Sequence, residues 1–219
     1  MSVKCISFII IIVWIMQTGC ADRPSDSENK ADSSYVKGSF GYDLSFLKSH
    51  GEVIVLSDTA GQAKLIVSPK YQGKVFTSTA EGDQGQSFGW INYKAFTGTP
   101  NAHMNAYGGE NRFWLGPEGG RYSLFFPKGA KMVFDNWKTP AAFDTESWDV
   151  VSQNPQQVNL RKDMSLLNYA GSELQIGVER IISIIPRDRL FSMLQLEPDD
   201  SVKAVGYEAQ NKITDNGKS

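Results

Sequence analysis

Residues 52–79 read EVIVLSDTAGQAKLIVSPKYQGKVFTST, and their pattern decides the fold class. Three short runs, Glu52–Ser57, Ala63–Ser68 and Gly73–Thr79, are rich in Val, Ile, Leu and Phe. They are separated by Asp58-Thr-Ala-Gly61 and Pro69-Lys-Tyr-Gln72, which carry turn residues. Runs of this length, β-branched and bounded by Gly, Pro and Asp, form strands and not helices. Downstream the same texture recurs at Ser87–Phe96, Tyr122–Phe126, Lys131–Phe134, Val158–Leu160, Met164–Tyr169, Glu173–Ile185, Phe191–Leu196 and Ala204–Ile213. Many short strands with Gly-rich turns predict an all-β, antiparallel β-sandwich. No repeat of fixed period and no internal Pro- or Ser-rich linker divides the chain, so one domain is expected.

Upstream, YDLSFLKSH (Tyr42–His50) predicts one short helix, with Asp43 as N-cap, Leu44 and Leu47 facing the core and Gly51 as stop. The segment ERIISIIPRDRLFSMLQL (Glu179–Leu196) has helical length, but Pro186 interrupts it and Ile181, Ile182, Ile184 and Ile185 are β-branched. It is therefore expected to be a hairpin turning at Pro186-Arg-Asp-Arg189. Val202–Ile213 reads as a last strand, followed by turn residues Thr214–Lys218 with no returning strand. A strand without its neighbour would leave an edge open to a pairing partner, so residues 40–219 are expected to be an incomplete domain.

The N-terminus has a separate logic. Lys4 precedes an apolar run from Ile6 to Met16, then Gln17-Thr18-Gly19-Cys20. A basic start, an apolar stretch too short to span a bilayer and small residues before the break make a secretory signal over residues 1–19. Thr18-Gly19-Cys20 resembles a lipobox, at which Cys20 would be diacylated, although Met16 and Gln17 depart from its usual residues. ADRPSDSENKADSS, after Cys20, has no apolar residue larger than Ala. Residues 20–39 are thus expected to be a lipidated Cys and a disordered tether. The expectation is a palmitate-bearing lipoprotein of a bacterial outer membrane, facing the periplasm or the cell surface.

Only Cys5 and Cys20 occur, so the domain has no disulfide, thiolate nucleophile or zinc–thiolate site. It must be stabilised by its core, and at 41% hydrophobic residues it can be. A net charge of −2 gives no basic footprint for nucleic acid. Two His without a carboxylate cluster beside them suggest neither a metal centre nor a cofactor.

The densest segment runs from Gly89-Trp90 through Asn101-Ala-His103-Met-Asn105-Ala-Tyr107-Gly108-Gly109-Glu110-Asn111-Arg112-Phe113-Trp114 to Glu118-Gly119-Gly120. Trp90, Tyr107 and Trp114 offer flat faces for the C–H surface of a sugar, and Glu110, Arg112 and Glu118 offer hydrogen bonds to hydroxyls. His103, six residues before Gly109, is the candidate that could face such a cleft, and a solvated loop histidine is its simpler reading. Glu110 and Glu118 could pair as in a glycosidase, or each could hold Arg112. A hairpin whose aromatics fill the core explains the same residues. Asp144, Glu146 and Asp149 around Trp148 read as a solvated loop, and His50 as a helix C-cap.

GGENRFWLGPEGG (108–120) resembles a Gly-Gly…Phe/Trp…Gly-Pro-Glu segment of galactose-mutarotase-like proteins, nearest to an uncharacterised family of bacterial lipoproteins in that superfamily. The YDLSFLKSH helix, SFGWIN (87–92) and the Gly206–Lys218 segment, similar to the strand before an Asn-Thr-Gly turn in aldose epimerases, extend the resemblance over Phe40–Lys218. The resemblance implies a supersandwich with a concave sugar-binding face. It also implies that the histidine acid and glutamate base of such enzymes belong to a later part of the domain. Three functions follow as expectations: a carbohydrate-binding lipoprotein without its own catalysis, an aldose-epimerase-like enzyme working through the 108–120 loop, or a non-functional remnant.

Overall fold

The computed structural model describes residues 34–197 and 199–217. The signal segment and Cys20 lie outside the described residues, as does the tether up to residue 33. Among the described residues there are seven strands in two antiparallel sheets. The first sheet is β1 (Ile54–Ser57), β2 (Lys64–Ser68) and β3 (Lys74–Thr79), in sequence order. The second is β4 (Asp149–Asn154), β5 (Gln157–Leu167), β6 (Glu173–Ile184) and β7 (Tyr207–Asp215), again in order.

Alternation explains how the sheets meet. Ile54, Leu56, Leu65, Val67 and Val75 from the first sheet share one buried cluster with Val158, Leu160, Met164, Val178, Ile182 and Ile184 from the second. The other face of the three-stranded sheet presents Ile66 and Phe76 to a second cluster built on Phe40, Phe46, Leu47 and Ile91. β3 is consequently buried along its whole length. Val75 and Phe76 point to opposite faces as consecutive strand residues do, and the register with β2 shifts between Ile66 and Val67. Layers therefore run from helix to small sheet, core and large sheet, the all-β architecture that the strand pattern predicts.

Several local expectations are corrected. The helix α1 spans Phe40–His50, and its N-cap is Ser39, whose Oγ accepts from Tyr42 N at 3.4 Å. Asp43 cannot cap, because its buried carboxylate accepts from the Ser87 and Tyr93 hydroxyls. Burial raises the Asp43 pKa and that of Tyr93. The buried side chains of the helix are Phe40, Asp43, Phe46 and Leu47, with Leu44 only partly covered. His50 sits at the C-terminal end as expected, with Nδ1 2.9 Å from the Phe46 carbonyl.

No hairpin forms at Pro186. β6 ends at Ile184, and Pro186 caps a helix, α2, over Arg187–Met193. Proline is well tolerated at a helix start, where its missing N–H costs no bond, and the residues after it are no longer β-branched. Ser87–Phe96, Tyr122–Phe126 and Lys131–Phe134 are not strands either. They are irregular, with short 3-10 turns at Tyr93–Phe96 and Phe134–Asn136. Strand β4, unexpected from the sequence, takes the edge beside β5. β7 runs antiparallel to β6, from Ile184↔Tyr207 to Ile176↔Asp215, and forms the other edge.

Candidate functional site

The irregular segment from Phe88 to Arg112 follows the outer edge of β3 and builds a cleft there. Glycines let it approach. A Cβ on Gly89 would lie 2.2 Å from the Phe76 carbonyl oxygen, and one on Gly108 2.2 Å from that of Trp90. Gly108 and Gly109 also have φ of +84° and +104°, a region open chiefly to glycine. Glu110 N donates to Val75 O and Val75 N to Asn111 O, both at 2.9 Å. Gly109 N closes the loop on Trp90 O at 2.7 Å.

The cleft has a volume of about 310 Å3 and is lined by Lys74, Trp90, Met104, Glu110, Asn111 and Arg112, with backbone from Ala106, Gly108 and Gly109. Trp90 stands at its mouth, 66% exposed. Lys74 is 3% exposed, and its Nζ donates to the Gly108 carbonyl. Burial, reinforced by the neighbouring Arg112 charge and opposed by Asp144, lowers the Lys74 pKa to about 7. The Arg112 guanidinium lies 3.9 Å from the centre of the Trp114 ring, and its Nη2 reaches Met104 Sδ at 3.4 Å. Its pKa is also lowered by burial, against the pull of Asp144 and Glu118.

The carboxylates around these cations are held elsewhere. Glu110 Oε1 accepts from Ser78 N at 2.7 Å and from Ser78 Oγ at 2.9 Å, and burial together with the nearby Glu110 raises the Tyr207 pKa. Glu118 Oε1 accepts from Trp114 Nε1 at 2.8 Å. Asp144, 4% exposed, accepts from Gln72 Nε2 at 2.7 Å and from Asn105 N and Nδ2. Its loop is thus not solvated at Asp144, contrary to the sequence reading.

Behind the cleft, Arg180 of β6 is fully buried. Its Nε donates to Gly73 O and its Nη1 to Asn211 Oδ1, both at 2.8 Å, while Nη2 donates to Asn111 Oδ1. Burial pulls its pKa down to about 10, partly offset by Tyr207.

Of the seven binding candidates, the structure brings Trp90, Glu110 and Arg112 together in the cleft. Trp114 supports Arg112 from beneath, with Glu118 bonded to it. Tyr107 lies outside the lining, packed on Tyr71 and Phe96. His103 also lies outside it, with Nδ1 bonded to the Trp137 carbonyl and its ring stacked on Phe134. The Glu110–Arg112–Glu118 ion pairs do not form, because each carboxylate has neutral donors nearer to hand. Sequence reasoning missed Lys74, Met104 and Arg180. Alternation held a signal for two of them, since Lys74 shares a buried strand with Phe76, and Arg180 lies between Val178 and Ile182 on the inward face of β6.

Larger depressions exist, among them one of about 540 Å3 whose walls include Lys138, Glu146 and Asp163. The one of about 520 Å3 on the far side of Trp90 contains Asp43, already saturated by Ser87 and Tyr93. Among the described residues, no three His, Cys, Asp or Glu side chains are grouped to hold a metal ion, and no helix is long and apolar enough to cross a membrane.

A family model for DUF6786, described as a family of unknown function, matches residues 38–219. The chain belongs to DUF6786. Neither a curated protein nor a solved structure matches it. In this DUF6786 chain the matched span takes in both sheets, the helix α1 and every residue of the cleft.

Proposed function

We propose that this protein binds carbohydrate in the β3-edge cleft, as a lipoprotein held to a bacterial membrane through Cys20, and that the chain does not itself carry out catalysis. The observation that carries the reading is Trp90: a largely exposed indole at the mouth of a cleft whose other walls include Lys74, Glu110, Asn111 and Arg112. An exposed aromatic face with hydrogen-bonding groups converging beside it suits a sugar ring better than a purely apolar ligand. The resemblance of residues 108–120 to galactose-mutarotase-like proteins supports the same reading, and with it a supersandwich fold.

A second reading, an aldose-epimerase-like enzyme, is favoured by one observation. Lys74, with a pKa of about 7, and Glu110 line the same cleft, and anomer exchange needs an acid and a base.

Glycan-array binding of the purified chain, repeated with Trp90→Ala, tests the first reading; equal binding by both proteins refutes the role of the cleft. NMR of anomer exchange separates the two, because acceleration above the uncatalysed rate that Lys74→Met abolishes establishes the enzyme. Cooperative unfolding as a monomer would argue against a remnant that folds poorly or only by assembling with another half. For the anchor, Cys20→Ser should move the protein from the membrane to the soluble fraction.

A further inference from the structure

The cleft contains two cations whose hydrogen-bonding capacity greatly exceeds what the protein supplies. Arg112 has five N–H groups, and its hydrogen bond among the described residues is a long one to a thioether sulfur. Stacking on Trp114 occupies the guanidinium face and leaves the N–H edge for an acceptor in its plane. Lys74 has three N–H groups and one acceptor, the Gly108 carbonyl. Neither residue has an ion-pair partner within 4.0 Å among the described residues. The nearby carboxylates, Glu110, Asp144 and Glu118, already accept from Ser78, Gln72, Asn105 and Trp114.

Such an arrangement is costly when empty. Two like charges in a partly desolvated cleft repel, and each loses hydration. A neutral hydroxyl does little to relieve this. An anion does, by pairing with both cations and restoring the ammonium form of Lys74.

We infer that the sugar bound in this cleft is an acidic one, whose carboxylate or sulfate lies between Lys74 and Arg112 while its ring stacks on Trp90. The inference rests on the carbohydrate reading above and specifies the class of sugar. It involves no covalent step.

The test is calorimetry on the full chain in detergent, with glucose, glucuronate, glucose 6-sulfate, sodium acetate and sodium sulfate as probes, alongside an array of neutral, uronate-containing and sulfated glycans. Acidic sugars should bind roughly tenfold or more tightly than their neutral counterparts, and the uronate and sulfate arms identify which group is preferred. Arg112→Gln and Lys74→Met should each abolish that preference, with far-UV circular dichroism reporting whether they remain folded. If either variant unfolds, salt dependence of the unaltered chain takes its place. Affinity for the acidic sugar should fall several-fold between about 20 and 300 mM NaCl, and affinity for the neutral sugar should not.

Equal affinity for neutral and acidic sugars, or a preference that survives Arg112→Gln, overturns the inference and leaves the carbohydrate reading standing. Acetate or sulfate binding as tightly as the acidic sugars overturns the sugar assignment itself, because the cleft would then be a plain anion site. Absence of binding by every sugar and glycan overturns both.

Discussion

Lys74→Met is predicted to stabilise the domain at neutral pH, and by more at pH 6 than at pH 9. The unfolded chain holds this ammonium with a pKa near 10.5, and the fold lowers it to about 7. Between those values the unfolded state binds more protons, so the stability of the unaltered protein rises with pH through that window. Below about pH 7 the whole penalty applies. The difference between 10.5 and about 7 sets a ceiling of about 5 kcal/mol. Loss of the bond to the Gly108 carbonyl takes back about 1 kcal/mol. Burial is the main cause of the lowered Lys74 pKa, with Arg112 lowering it further and Asp144 raising it, while Glu110 lines the same cleft.

The assay is urea denaturation of both proteins, followed by tryptophan fluorescence at pH 6, 7.5 and 9. The stability advantage of the variant should shrink by about 2–3 kcal/mol across that range. Measurements stop at pH 9 because Tyr93, Tyr107 and Tyr207 all have raised pKa values in the fold, and their unfolded counterparts begin to ionise above it. A variant less stable at pH 6, or an advantage that does not change with pH, would refute the reasoning, since it would show an ammonium that is hydrated or paired.

Three further outcomes follow from the same network. Arg180→Met leaves the buried Gly73 carbonyl without its donor and releases the less buried Asn111 and Asn211 side chains, but it also removes a desolvated charge, so a net loss of about 1–2 kcal/mol is expected in a urea titration. Gly108→Ala forces a Cβ against the Trp90 carbonyl at positive φ; a loss of about 2 kcal/mol or more is expected, with amide NMR shifts concentrated at residues 90–92 and 108–112. Asp144→Ala strips the buried Asn105 N–H of its acceptor and leaves Gln72 Nε2 and Asn105 Nδ2 with one longer bond each, and should lower stability by about 2 kcal/mol, read from the thermal midpoint.

The sheet-forming residues were legible because each carries its own evidence. Residues 52–79 alternate or run apolar, and they became three paired strands. Residues 87–134 misled for an identifiable reason. Their aromatic and β-prone residues resemble strands, yet the glycines among them serve close packing on β3, so the backbone makes isolated bridges such as Val75↔Asn111 and Ile91↔Gly108 instead of a ladder. In the site, Trp90, Glu110 and Arg112 could be found because they cluster in sequence. Lys74 and Arg180 come from distant strands, and only inward alternation betrays them. His103 and Tyr107 were close in sequence to the cleft but turned away, His103 toward the Trp137 carbonyl and Tyr107 into the aromatic layer beneath α1.

Arg180 also explains why a cleft on the outer edge of one sheet depends on the packing of both. The segment carrying Glu110 and Asn111 is bonded to β3 through Val75 and Ser78. That alone would fix its backbone and leave the Asn111 side chain free to turn. Arg180 reaches across from β6 to hold that side chain, and at the same time binds Gly73 O, immediately before β3, and Asn211 on β7. One guanidinium thus ties the cleft wall, the start of β3 and the edge strand β7 together. A buried charge is weak evidence for stability, so its value here lies in position. Any change that shifts one sheet relative to the other must first break a bond to the cleft wall, and the geometry around Lys74 and Arg112 should therefore respond to inter-sheet packing before the domain unfolds.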